Sequence, residues 1–271
     1  NHEQSVIAMI GAGQMASALA IGFVERGGIS PGTIRVYDPS ATALDAIHVR
    51  LPGIRLAKSN LEAVEGSQIV VLAVKPQHVG DVAAELAGHL TPASILVSVV
   101  AGLRLETLEK SFKTAQIIRV MPNACCLVGA GSCVACRSPS VENAAFERVL
   151  AMLAGTGTVH VVGERLREAA TGLSGSGPAF VAVVLEALAD GGVRAGLPRE
   201  TSLALAREVL AGTAALVEKT GEHPSAIKDR VASPAGTTIE GLAILEQMAV
   251  RSAISGAVAA AARRSAELSR S

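Results

Sequence analysis

Gly11-Ala12-Gly13-Gln14-Met15-Ala16 has the spacing G-x-G-x-x-A. In that spacing the first glycine permits a tight turn and the second lets backbone approach a pyrophosphate. The small third residue lets a helix pack closely on a strand. The free N–H groups at the start of that helix favour an anion. Asp38 stands about 20 residues beyond the fingerprint, where an acid can hydrogen-bond the ribose hydroxyls of a dinucleotide. Ala73-Val74-Lys75-Pro76, Ala101-Gly102 and Met121-Pro122-Asn123 each follow an apolar run. They fall where loops at the carboxyl ends of strands line the same crevice. An ordinary glycine turn with a strand-end acid, and a solvated loop lysine at Lys75, are the plain alternatives. The strand–turn–helix context favours the dinucleotide site.

A second group of residues lies further on. Thr171-Gly172-Leu173-Ser174-Gly175-Ser176-Gly177-Pro178 reads as a Gly/Ser-rich turn opening a helix at Pro178, proline being favoured in a first turn. Ser233-Pro234-Ala235-Gly236-Thr237-Thr238-Ile239-Glu240 reads as another helix start. There Thr237 and Glu240 have the spacing of a capping box. Free N–H groups at such a start, with the hydroxyls of Ser233 and Thr238, suit a small carboxylate. Both stretches also read as plain helix caps.

The elements that must position these groups follow from periodicity. Ser5 to Ile10, Thr33 to Tyr37, Ser67 to Val74, Ile95 to Val100 and Ile117 to Met121 read as strands, with helical segments between them. Such alternation predicts a parallel, doubly wound sheet. A last apolar stretch spans Thr158 to Val162. Beyond it, residues 178–195, 200–219 and 238–268 are Ala/Leu-rich and helical in period. The fold expected is an α/β Rossmann domain over 1–163 and an all-α domain over 164–271, with a subunit interface on helices that carry several apolar faces.

Composition narrows the function classes. The 271 residues are 49% hydrophobic, 18% charged and 2% aromatic, with zero formal net charge. A large core is possible, and no Lys/Arg run offers a nucleic-acid surface. No apolar stretch approaches the roughly 18 residues that suggest a membrane span, and no secretory signal precedes the first strand. Cys125, Cys126, Cys133 and Cys136 read as buried free thiols of a cytoplasmic protein rather than as a zinc site, because the C-x2-C pair sits in a strand where residues three apart face opposite ways.

Taken together, Gly11-x-Gly13-x-Met15, Ala73-Val74-Lys75-Pro76, Thr171 to Pro178, Asp190-Gly191-Gly192-Val193 and Ser233-Pro234-x-Gly236-x-Thr238 resemble the pyrroline-5-carboxylate reductase family, in the family's order along nearly the whole chain. The resemblance implies NAD(P)H-dependent reduction of a cyclic imine to L-proline, the last step of proline biosynthesis. It also implies a C-terminal helical dimerisation domain whose helices intertwine between two subunits, with dimers assembling further. By the same resemblance Gly11, Ala12, Gly13, Gln14, Met15, Asn60 and Ala73, Val74, Lys75, Pro76 hold the cofactor, and Ala101 meets its nicotinamide end. Ser233, Gly236, Thr237 and Thr238 hold the substrate carboxylate, and Thr171 faces the ring nitrogen. Asp38 is a departure that leans towards NADH over NADPH, since a carboxylate repels a 2′-phosphate. Ala235, where the family commonly has glycine, is another. The rivals are a 3-hydroxy-acid dehydrogenase of the same plan and a non-catalytic dinucleotide-binding sensor. Phe180 to Asp190 lacks the lysine that the dehydrogenase would use.

Overall fold

A computed structural model describes residues 6–113 and 116–269; Ser5, the expected start of the first strand, lies outside them. Among the described residues, eight strands form one sheet: β1 (Ile7–Ile10), β2 (Ile34–Tyr37), β3 (Arg55–Leu56), β4 (Ile69–Leu72), β5 (Ile95–Ser98), β6 (Ile117–Met121), β7 (Gly131–Arg137) and β8 (Gly157–Val161). Their order is β3-β2-β1-β4-β5-β6-β7-β8, and all neighbours are parallel except β6 and β7. The first six positions have the doubly wound order, which reverses between β1 and β4.

Both strands at that reversal are apolar throughout and buried, as strands covered on both faces must be. Their side chains alternate between two layers. Ile7, Met9, Ile69 and Val71 enter one; Ala8, Ile10, Val70 and Leu72 enter the other. The first layer also takes Ala16, Leu19 and Phe23 of the helix Gln14–Glu25, so the small third residue of the fingerprint packs as its spacing predicts.

Cys133 and Cys136 lie on β7 and enter opposite layers, as residues three apart on a strand must. All four cysteines are free thiols. The Cys126 and Cys133 sulfurs are 3.8 Å apart. The hydrogen bond between them holds the Cys126 thiol below its ordinary value and pushes that of Cys133 up.

β3 was not legible in the sequence, being too short to show a period. Contacts divide the chain into two compact units: one runs to Ser176 and takes in the chain from Ala261 on, the other is Gly177–Ala260. The division falls beyond Gly163 because the intervening segment bonds to the sheet unit. Glu164 Oε1 accepts the Leu105 N–H at 2.7 Å, and Arg167 donates to Ser269 Oγ at 3.1 Å.

The second unit is helical, with Gly177–Arg194, Arg199–Thr220, Pro224–Val231 and Thr237–Gln247. Its longest helices share a close approach, where Ser202 Oγ donates to the Ala189 carbonyl at 2.6 Å and sits over Gly192. Residues 238–268 are not one helix. Thr237–Gln247 and Val250–Leu268 meet at a bend of 51°, where Ala249 is left-handed at φ +52. By length and mean hydropathy, the continuous run Glu164–Arg194 is sufficient to cross a membrane, and the bent pair would be if taken together. This differs from the sequence expectation. Alanine and glycine raise mean hydropathy without making an uninterrupted apolar run.

Candidate active site

Gly11 ends β1 at the point where the strand order reverses. Its N–H donates to the Tyr37 carbonyl of β2 at 2.8 Å, and Ala73 N–H donates to the Ile10 carbonyl at 2.8 Å. The backbone there has φ +104, and a Cβ on Gly11 would lie 2.6 Å from the Ala73 carbonyl oxygen. Only glycine fits. Gly13 is different: it is the N-cap of the helix Gln14–Glu25, with ordinary φ −66. A Cβ there would meet no protein atom within 4 Å. The space in front of Gly13 is left open above a helix N-terminus, which is what a pyrophosphate needs.

A cavity of about 420 Å³ opens on this turn. Gly11, Gly13, Asp38, Asn60, Ala73, Val74 and Lys75 line it, and Tyr37, His78, Asp81 and Glu85 complete it. Of the expected cofactor residues outside this lining, Ala12 lies in the glycine turn, Gln14 and Met15 open the helix Gln14–Glu25, and Pro76 follows Lys75. Ala101 is in the exposed loop after β5, away from this lining.

Asp38 follows β2. Its Oδ2 accepts the Ala12 N–H at 2.8 Å and its Oδ1 accepts the Ser40 N–H at 2.8 Å. The acid therefore fixes the glycine turn as well as facing the cavity. Asn60 opens the helix Asn60–Val64 behind the Ser59 cap, and its Nδ2 donates to Glu85 Oε2 at 2.7 Å. Glu85 was not singled out in the sequence; its link to Asn60 spans 25 residues and has no local signature. The residues present fit a dinucleotide: a cradle that a Cβ would fill, free N–H groups and a strand-end acid.

An α-helix begins at Gly177 with Pro178 in its first turn, but the stretch before it is not an open turn. Thr171–Gly175 is a π-helical turn inside a continuous helical run. The Ser176 N–H reaches back five residues to the Thr171 carbonyl at 3.1 Å. The Thr171 hydroxyl is withdrawn from solvent and has no hydrogen-bond partner among the described residues.

On the other side of the Ala101 loop, Glu164 Oε1 lies 3.4 Å from buried Arg119 on β6. Burial pushes the Arg119 guanidinium down to about 10, and Arg167 beside it acts the same way. Arg119 stays charged at neutral pH, with Glu164 as counter-charge. Glu164 thus ties β6 to Leu105, four residues past Ala101.

In the second unit, Ser233, Gly236, Thr237 and Thr238 are brought together at the start of the helix Thr237–Gln247. The cap, however, is Gly236, with φ −85 and ψ 172, and no side chain bonds into the first turn. The expected capping box is absent because Thr237 already has the first helical position. Ala235 takes the left-handed region at φ +54, and Gly236 N–H closes on the Ser233 carbonyl at 3.1 Å. Ser233 Oγ packs where a side chain on Gly236 would be.

The strained Ala235 yields a prediction. Relief of left-handed strain is worth about 1 to 2 kcal/mol, and the freer unfolded chain offsets about 0.4 to 1 kcal/mol of it. Ala235→Gly should therefore raise stability by about 1 kcal/mol or less. Denaturant titration checks this, and a lowered midpoint would contradict it.

A doubly wound sheet with a glycine cradle at its reversal defines a dinucleotide-binding protein, here with a helical unit following the sheet. Residues 6–102 match the family model described as NADP oxidoreductase coenzyme F420-dependent, and residues 164–268 match that for pyrroline-5-carboxylate reductase dimerisation. The pyrroline-5-carboxylate reductase of Synechocystis sp. is 43% identical over 262 residues, 97% of this chain and 97% of its own. That of Glycine max is 41% identical over 275 residues, 98% of this chain and 97% of its own. The crystal structure of Plasmodium falciparum pyrroline carboxylate reductase with NADP bound has a TM-score of 0.89 at 32% identity. It covers 99% of this chain and 100% of its own. The chain belongs to the pyrroline-5-carboxylate reductase family. The dimerisation match supports self-association, and the second unit carries exposed apolar residues such as Val181, Val183, Val209 and Ile244.

Proposed function

We propose that the chain reduces 1-pyrroline-5-carboxylate to L-proline, the last step of proline biosynthesis, as a dimer or a multiple of dimers. The observation that carries this reading is the near-full-length likeness, which spans both the cofactor crevice and the Ser233–Thr238 helix start. When bound in the crevice, the reduced nicotinamide supplies the hydride. The chain's own residues bind and orient. Gly11 to Met15, Asn60 and Ala73 to Pro76 hold the dinucleotide, and Ala101 meets its reactive end. The N–H groups at the start of Thr237–Gln247, with the Ser233 and Thr238 hydroxyls, hold the substrate carboxylate. Thr171 orients the proton on the ring nitrogen; the iminium forms in water, so no strong acid is required. Alignment of this kind supplies several kcal/mol. The free thiols suit a reducing cytoplasm, where we place the protein. Purified protein with pyrroline-5-carboxylate and reduced nucleotide should yield L-proline by chiral chromatography. Absence of proline with both NADH and NADPH would overturn the reading.

The cofactor preference proposed is NADH. Among the described residues, Asp38, Asp81 and Glu85 line the cavity with Lys75 and His78, an acidic setting that is poor for a 2′-phosphate. One carboxylate against the phosphate in a partly wet site is worth roughly 1 kcal/mol. Asp38→Ser should therefore move the NADPH/NADH ratio of kcat/KM upward by about tenfold or less. Because Asp38 also holds Ala12 and Ser40, both nucleotides should bind more weakly. An unchanged ratio would show that Asp38 serves the turn and not the ribose.

A further inference from the structure

The π-helical turn Thr171–Gly175 needs something to hold it, because an extra residue in a helical turn costs stability and recurs where function requires it. Pro178 has no N–H to give the Ser174 carbonyl, four residues before it. That carbonyl accepts Asn123 Nδ2 at 3.2 Å. The same amide is oriented by its other end, since Asn123 Oδ1 accepts the N–H groups of Cys125 and Ser132, both at 3.2 Å. Two donors facing the oxygen leave the NH2 facing Ser174. Ser174 Oγ adds a bond to the Ser132 carbonyl at 3.3 Å. Asn123 is buried. One side chain therefore joins the end of β6, the start of β7 and the turn.

We propose that Asn123 is a positioning residue for the imine reduction. By holding Ser174, it fixes the turn that carries Thr171. Among the described residues the Thr171 hydroxyl has no partner of its own, so the backbone of the turn sets where it stands. This rests on the role proposed for Thr171 at the ring nitrogen. Asn123 is not a catalytic residue, since it acts through Ser174.

The test is a double-mutant cycle of Asn123→Asp with Thr171→Val. Asn123→Asp keeps an acceptor for Cys125 and Ser132 but turns an oxygen towards the Ser174 carbonyl. Each single variant should lower kcat/KM for pyrroline-5-carboxylate by about tenfold or more, with the loss in kcat and the NADH dissociation constant unchanged. The double variant should be no worse than the poorer single one, because the two act as one unit. Multiplying losses would overturn the role of Asn123 while leaving that of Thr171. A silent Thr171→Val would overturn the role of Thr171, and that of Asn123 with it. Pro178→Ala, which offers Ser174 a competing N–H, covers the case where Asn123→Asp does not fold. It should lower kcat in the same way and lose that effect in the Thr171→Val background; full additivity there would likewise overturn the proposal.

Discussion

Replacing Gly11 with alanine should cost both the fold and cofactor binding, whereas Gly13→Ala should cost binding alone. At Gly11 the new Cβ meets the Ala73 carbonyl oxygen at 2.6 Å with φ at +104. Neither strand can yield easily, because Gly11 is bonded to Tyr37 and Ala73 to Ile10. Left-handed strain costs about 1 to 2 kcal/mol, and the backbone clash adds to it, so a loss of about 3 kcal/mol or more is expected. At Gly13 the Cβ enters space without protein atoms, so thermal stability should stay within about 0.5 kcal/mol. The same Cβ takes room that a pyrophosphate needs. Losing its close backbone contact should weaken NADH binding by about tenfold to a hundredfold. Thermal unfolding and nucleotide titration of both variants check this. Equal stability of the two would mean that the β1–β4 junction is looser than its bonds indicate, and equal affinity of Gly13→Ala and the unaltered chain would move the phosphates elsewhere.

Thr238→Ala should lower kcat/KM for pyrroline-5-carboxylate by about tenfold to a hundredfold, the worth of one hydrogen bond to a carboxylate at roughly 1.5 to 3 kcal/mol. Thr238 lies in the first turn behind the Gly236 cap, where N–H groups have no side-chain partner. NADH affinity should not change, because the glycine cradle is in the other unit. Stability should hold as well. The matched control is Thr237→Ala. Since Thr237 makes no capping bond, its loss should move stability by about 0.5 kcal/mol or less, not by the larger amount that a capping box would imply. Intact catalysis in Thr238→Ala would assign the carboxylate to other residues.

Features of the site that depend on local sequence were legible. Gly11 and Gly13 announce themselves by their spacing just past an apolar strand, the first because the turn requires glycine and the second because a pyrophosphate needs the room, and the β1 and β4 runs are apolar because both faces are covered. Cys133 and Cys136 could be placed on opposite faces from strand period alone. What failed did so where the backbone departs from regular geometry without a residue that signals it. Ala235 and Ala249 are left-handed although neither is glycine. The first shifted the helix cap from Thr237 to Gly236, and the second broke the helix expected over 238–268. Pro178 does lie in the first turn of the helix Gly177–Arg194, as proline favours, but the stretch before it is π-helical and not an open turn, which no residue type signals. Asn123 was expected in a loop lining the crevice, and its bond to Ser174 was not foreseen; Glu85 was passed over. Both roles are tertiary, through hydrogen bonds spanning 51 and 25 residues.

The most direct measurement supplies the purified protein with NADH or NADPH and, in parallel, pyrroline-5-carboxylate and open-chain 3-keto acids, following loss of the reduced nicotinamide absorbance. Consumption with the cyclic imine and none with the keto acids is the expected result. Turnover of the keto acids with none of the imine would contradict the central claim and make the chain a hydroxy-acid dehydrogenase on the same fold.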